Sequence, residues 1–254
     1  MIKKHLVTCS VILVSVVILK LFVCSTTERK SAMKSTRFVG YLAARTEVNE
    51  GYNFADESMP VANKSVNRKI KVSLWRHSYN RVGSVVLHRK ASEIFPIIEP
   101  ILKVYGIPED FKYIPLVESG LKSGTSPKGA AGWWQFMPQT ARDYGLKVNS
   151  SKDERLNLRK STIAACKYLR DLYGELNNNW TLAAAAYNGG SPRVRHAINR
   201  QNRGNYYLMH LNRETASYVY KLIAMKEVIK KPTEYGYHNV YVSYPQPAEL
   251  LAVN

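Results

Sequence analysis

Glu118 stands at the end of an apolar run, FKYIPLV, and is followed at once by a glycine- and serine-rich stretch, ESGLKSGTSPKGAAG. A carboxylate emerging from an apolar wall has its neutral form favoured, which raises its pKa and suits it to donate a proton as a general acid. A lone glutamate at a helix end is more often simply solvated, so its neighbours decide the matter. Trp133, Trp134, Phe136 and Met137 follow around Gln135. Aromatic faces beside an amide are the surface that grips the CH-rich face and the hydroxyls of a sugar. The alternative is that these rings fill the core, and since they point in different directions at least one of them does. No acidic residue lies between Leu121 and Arg142. Glycosidases that use water or a covalent intermediate need two carboxylates, about 5–5.5 Å or 6.5–9.5 Å apart. One carboxyl group suffices, acting first as acid and then as base, when the nucleophile is a hydroxyl of the substrate itself.

The elements that must hold these groups read as helices. Val66, Ile70 and Leu74 are spaced by four, and Val82 to Tyr105 carries a broad apolar stripe in which Pro96 predicts a kink or a fresh start. GIPEDFKYIPLVES opens a helix with Pro108 near its first turn and Glu109 and Asp110 at the positive end of its dipole. Further helices are expected from Pro138 to Gly145, from Asp153 to Tyr173 with Gly174 as the stop, through TLAAAAYNGG, from Ser191 as cap with Pro192 at the first helical position, and through RETASYVYKLIAMKEVI. The tail carries a short alternation, YHNVYVSY, that fits one strand or an extended arm.

The 254 residues are 45% apolar and 22% charged, enough for one sizeable core without a metal or disulfide staple. Lys and Arg exceed Asp and Glu by 37 − 19 = 18, a bias toward an anionic partner. Cys9 and Cys24 lie in the apolar N-terminal stretch, which leaves Cys166 as the only later thiol and excludes a disulfide inside the folded part. There is no C-x-x-C pair, no H-E-x-x-H and no glycine-rich nucleotide motif. Neither a metal nor an organic cofactor is expected.

MIKKH followed by an uncharged run from Leu6 to Leu19 reads as a secretory signal peptide or, with Lys20 snorkelling, an N-terminal membrane anchor. Cleavage near Ser25 and lipidation at Cys24 are both open. Each reading exports the rest of the chain to the cell envelope of a bacterium, on the periplasmic face, and so sets nucleic acid aside as a partner.

Four ordered stretches, IPLVESGLKSGTSPKGAAGWWQFMPQTARDYGLKV, DERLNLRKSTIAACKYLRDLY, LAAAAYNGGSPRVRHAI and NRETASYVYKLIAMK, resemble in order and spacing the catalytic domain of membrane-associated lytic murein transglycosylases of the soluble-transglycosylase-like group. The resemblance implies an all-α, lysozyme-like fold of the goose type with a cleft. It also implies an enzyme that cleaves the MurNAc-β-1,4-GlcNAc bond of peptidoglycan glycan strands and leaves a 1,6-anhydromuramoyl end.

By the same resemblance Glu118 is the catalytic acid and base. Ser126, Gln135, Tyr187, Asn188, Glu214, Tyr218 and Trp134 bind substrate around it, with Tyr187 beside the glutamate. The expected organisation is a signal or anchor over 1–27, a basic tether of low order over 28–64, a helical extension over 65–92, the catalytic domain over 93–231 and a tail over 232–254. Two rival readings remain: a hydrolytic muramidase, for which Asp143 and Glu214 are the candidate second carboxylates, and a non-catalytic peptidoglycan-binding or assembly protein. Oligomeric state is left open.

Overall fold

A computed structural model describes residues 51–118, 125–238 and 240. The N-terminal signal or anchor, most of the tether, the loop 119–124 and all but the start of the YHNVYVSY segment lie outside the described residues. Those that are described are mostly helical, in keeping with the all-α expectation, and no helix among them is long and apolar enough to cross a membrane.

The chain enters through a minimal hairpin, β1 (Asn53–Phe54) and β2 (Glu57–Ser58), then runs through α1 (Lys64–His77), a single turn α2 (Tyr79–Val82) and the long α3 (Val86–Val104). A 3-10 turn over Glu109–Tyr113 feeds α4 (Ile114–Glu118). The later helices are α5 (Pro138–Asp143), α6 (Leu158–Glu175), α7 (Trp180–Gly189), α8 (Ser191–Ala197) and α9 (Thr215–Lys230).

Helix α9 is the axis of the core. It is buried nearly all round, with Val219, Leu222, Ile223 and Val228 fully enclosed, and it packs against both α1 and α7. A helix apolar on every side belongs in the middle of a bundle. The alanines of α7, Ala183 to Ala186, are likewise fully buried, and their small side chains let α6, α8 and α9 approach closely. At Gly189 a Cβ would stand 2.6 Å from Thr215 Oγ1, so only glycine permits this contact between α7 and the start of α9.

Four local expectations change. α3 runs continuously through Pro96 and Pro100. Both prolines sit on its half-buried or exposed side, where carbonyls that lose their helical partners can meet water. α6 does not begin at Asp153: a 3-10 turn occupies Glu154–Leu156, and Asn157 caps the helix by accepting the Lys160 N–H at 2.9 Å. Nor does Gly174 end it, for the left-handed exit is made by Asn177 and Asn178, which hydrogen-bond locally and tolerate positive φ. Likewise Gly190, at φ +85°, caps α8, while Ser191 is its first residue and turns its buried hydroxyl to Glu175.

The segment 51–63, expected as the end of a loose tether, is instead built into the bundle. Ala55 and Asp56 both take positive φ in a two-residue turn, and the Ala55 N–H donates to Asp110 Oδ2 at 2.8 Å. Phe54 is fully buried, edge-on to Phe111 at 5.1 Å. Glu57 accepts the N–H groups of Trp180 and Thr181 at 2.6 and 2.8 Å, capping α7 across 123 residues of sequence. At the other end Tyr237 closes on α1, its hydroxyl donating to the His77 carbonyl at 2.7 Å. The expected division at 92/93 falls inside α3.

Candidate active site

Glu118 is the last residue of α4, half-buried between that helix and α9. Burial raises its carboxyl above the ordinary glutamate value, and the negative charge of Glu214 pushes the same way; Tyr218, Lys221 and Asn188 pull it back by favouring the charged form. The sequence-derived expectation of a carboxyl with a raised pKa is met, and its chief cause is desolvation.

The two neutral donors come from different helices. Tyr218 lies on the first turn of α9, completely enclosed, and its hydroxyl makes no hydrogen bond of good geometry among the described residues. It sits near enough to Glu118 for that charge to drive the phenol further above its normal range, after burial has already raised it. Asn188 ends α7. Its amide nitrogen reaches Glu214 Oε1 at 3.3 Å and its oxygen accepts the Thr215 hydroxyl at 3.1 Å, which fixes the side chain between the two acidic residues. Glu214 itself is exposed at the N-terminus of α9.

A tight loop faces this pair of helices. Ser126 accepts the Ala130 N–H on Oγ at 3.1 Å and donates its own N–H to the Ala130 carbonyl at 2.7 Å. Isolated antiparallel bridges then link Thr125 to Ala131 and Ala131 to Phe136. Gln135 takes φ +48° and turns its Nε2 onto the Gly132 carbonyl at 2.8 Å. Arg155 staples the loop from beneath, donating to the carbonyls of Gly129 and Phe136 at 2.8 and 2.9 Å while Asp153 holds its other nitrogens. Gly132 is obligatory here: a Cβ would lie 1.9 Å from the Arg155 carbonyl oxygen, and φ is +76°.

Trp134 must be reassigned. Its ring is fully buried and donates through Nε1 to Thr162 Oγ1 at 2.9 Å, so it fills the core beneath the loop and offers no face to a ligand. Trp133 is the half-buried neighbour, with Lys90 5.8 Å from its ring centroid. Tyr187, expected beside the glutamate, bonds to the loop. Its hydroxyl donates to the Trp134 carbonyl at 2.7 Å, tying the loop to α7, and its connection to Glu118 is electrostatic: that charge adds to burial in raising the phenol.

The structure therefore gathers Glu118, Asn188, Glu214 and Tyr218 at one place and sets Ser126 and Gln135 on a loop joined to them through Tyr187. Asp143 is not among the groups acting on Glu118; it is exposed on α5, accepting from Gln139 at 2.8 Å. Two contributors were missed from sequence. Arg155 gave no signal beyond its place before a helix. Lys221 did: it follows Tyr218 by three positions and so shares its face of α9.

Residues 96–210 match the family model described as Transglycosylase SLT domain. Over 140 residues it is 35% identical to membrane-bound lytic murein transglycosylase D of Escherichia coli (strain K12), an alignment that takes in 53% of this chain and 31% of that protein. It is also 32% identical over 130 residues to a putative tributyltin chloride resistance protein of Alteromonas sp. (strain M-1), covering 50% of this chain and 63% of that one. The chain thus spans about a third of the length of the Escherichia coli relative.

Among solved structures it is similar to the soluble lytic transglycosylase SLT70 of Escherichia coli, with a TM-score of 0.44, 23% identity, and coverage of 66% of this chain and 29% of that one. It is also similar to an inactive mutant of lytic transglycosylase Slt from Pseudomonas aeruginosa, with a TM-score of 0.41, 22% identity, and coverage of 59% and 24%. The SLT match begins within α3 and ends before α9, so the hairpin, α1 and α9 flank it, and Tyr218 and Lys221 lie outside it.

Proposed function

We propose that the protein is a lytic transglycosylase of the bacterial cell envelope, cleaving the MurNAc-β-1,4-GlcNAc bond of peptidoglycan with formation of a 1,6-anhydromuramoyl end. The observation that carries this reading is a half-buried carboxyl group whose pKa is raised by desolvation and whose charged form is favoured by two neutral side chains, Tyr218 and Asn188. The SLT domain match supports it independently. In this reading Glu118 protonates the glycosidic oxygen as the C1–O bond breaks. The resulting carboxylate then takes the proton of the muramoyl C6 hydroxyl as that oxygen closes on C1. Because the C6 hydroxyl is part of the reacting sugar, its effective concentration exceeds what a water molecule can match.

The remaining residues take supporting roles. Asn188 and Tyr218 steady the carboxylate when it forms. Ser126 and Gln135 present polar groups from the loop, and Trp133 in place of Trp134 supplies the aromatic face for a sugar ring. Glu214 acts at a distance, its negative charge helping Glu118 keep its proton. A hydrolytic enzyme would have to use Glu214 to position water, yet that carboxylate is exposed and engaged by Asn188. Placement on the periplasmic face, by a cleaved signal or an anchor in residues 1–27, completes the reading.

The test is the mass of the products released from purified peptidoglycan. Anhydro ends weigh one water, about 18 Da, less than hydrolysis products and carry no reducing terminus, as intramolecular closure requires. Reducing-end products would assign the protein to the muramidases, and glycan binding without cleavage would assign it to the scaffolds.

A further inference from the structure

Helices α1 and α9 pack side by side, and along their seam lies a cavity of about 620 Å³, within the roughly 300–1,000 Å³ typical of ligand sites. Its floor is apolar, formed in part by Val72 and Tyr220. Around that floor stand five cations: Arg68, Lys69 and Arg76 from α1, Arg213 just before α9, and Lys221 on it. No acidic side chain lines the cavity, and none of the five makes an ion pair among the described residues. Like charges crowded on one seam repel one another, and the field they produce attracts an anion of matching extent. The four-residue spacing of Arg68, Val72 and Arg76 puts charge, apolar floor and charge in line along one face of α1.

The position of the groove says what kind of anion. Lys221 is common to both sites: it lines the cavity, and its charge acts on the Glu118 carboxyl as well as on the half-buried His77 at the far end of α1. The groove's Arg213, Ser217 and Lys221 alternate along the start of α9 with Glu214 and Tyr218, so the part of a substrate flanking the scissile bond is the part that would reach them. On a peptidoglycan strand that flanking part is the peptide carried by the muramoyl sugar, which has free carboxylates and short aliphatic side chains. A lipid headgroup shares the charge but has no tie to the bond being cut.

We propose that the α1–α9 groove is a stem-peptide site, in which the cations of Arg68, Lys69, Arg76, Arg213 and Lys221 receive the carboxylates of the peptide next to the cleavage point. The proposal rests on the transglycosylase reading above. Its residues come from α1 and from the region after position 210, both outside the SLT match, so the site is an addition of this chain's flanking helices to that domain.

The experiment measures binding separately from cleavage. A synthetic muramoyl peptide with free carboxylates is titrated into the full-length protein and into R68A/R76A by calorimetry at low salt, with the fully amidated peptide, inorganic phosphate and phosphatidylglycerol vesicles as parallel probes. The wild type should bind the carboxylate peptide, lose at least tenfold in affinity when the peptide is amidated or when R68A/R76A is used, and weaken as salt rises. Equal binding of the amidated peptide, or unchanged affinity in R68A/R76A at an unchanged melting temperature, would overturn the proposal. So would vesicle or phosphate binding that is lost in R68A/R76A while peptide binding persists. Failure of the transglycosylase reading would show elsewhere, as absent or reducing-end products from the wild type, whatever the peptide titration gives.

Discussion

Asp110 and Glu118 are two carboxylates on the same short stretch of chain, both removed from bulk water, and they are put to opposite uses. Asp110 is buried and paired: Lys226 Nζ donates to its Oδ2 at 2.6 Å and the Ala55 N–H to the same oxygen at 2.8 Å. That ammonium also reaches Asn53 Oδ1 at 2.8 Å, so one ion pair ties the entering hairpin, the turn before α4 and the axis helix together. Glu118, one helix later, meets a phenol and an amide, with Lys221 acting on it less strongly than burial does. Burial with a matched cation gives a structural lock, whereas burial against neutral donors gives a carboxyl group that keeps its proton.

Neutralising each member of the pair should separate these uses. Glu118→Gln keeps size and hydrogen-bonding reach but has no acidic proton. Turnover on purified peptidoglycan should fall by at least the roughly 10²- to 10⁴-fold attributed to general acid–base catalysis, while the urea midpoint stays level or rises slightly. Asp110→Asn should do the reverse. It strands the Lys226 ammonium in the core, so unfolding should become easier by about 3–5 kcal/mol in urea titrations, while the folded fraction retains its pH profile. A large stability loss in Glu118→Gln would mean that the two carboxylates are not different in kind.

A finer cut concerns the neutral donors. Tyr218→Phe removes a hydroxyl that favours the charged form of Glu118, so the carboxyl should hold its proton to higher pH. The descending limb of kcat/KM against pH should move upward, and kcat should fall about tenfold as the conjugate base loses support. Tyr187→Phe should act less on that limb, since its hydroxyl is bonded to the Trp134 carbonyl. Its signature should be a stability loss of about 1 kcal/mol, seen as a shifted urea midpoint.

Stability should also carry the sign of the raised pKa. A carboxyl group that binds its proton more tightly when folded makes the folded state the more protonated one between the unfolded and folded pKa values. Glu118 therefore stabilises the fold most below its unfolded pKa, and that contribution is lost as pH rises through its folded pKa. Comparing the urea midpoint of wild type with that of Glu118→Gln from pH 4 upward should show a downward slope that the variant lacks.

The same contrast explains what could be read in advance. Glu118 was legible because its cause is local: an apolar helical run ending in an acid, then glycine. Helices α1, α5, α7 and α9 were legible from periodicity and caps for the same reason. The lock at Asp110 was not, because it depends on a lysine 116 positions away and on a hairpin whose strands are two residues long, too short to show any alternation. Trp133 and Trp134 are adjacent, and spacing alone does not say which indole turns inward. That is decided by Thr162, which offers its hydroxyl to Trp134 from α6. The end of α6 was misplaced because two asparagines perform the left-handed exit expected of Gly174.

The most direct test of the account is a carbon-13 NMR titration of the side-chain carboxyl groups in the full-length protein, with the Glu118 resonance assigned by its disappearance in Glu118→Gln. A Glu118 carboxyl that titrates clearly above the ordinary glutamate value of about 4.3, and moves higher still in Tyr218→Phe, is the predicted result. A Glu118 carboxyl that titrates at or below that value would contradict it, because such a group binds its proton no more tightly than a solvated glutamate and gains nothing from its burial as a general acid.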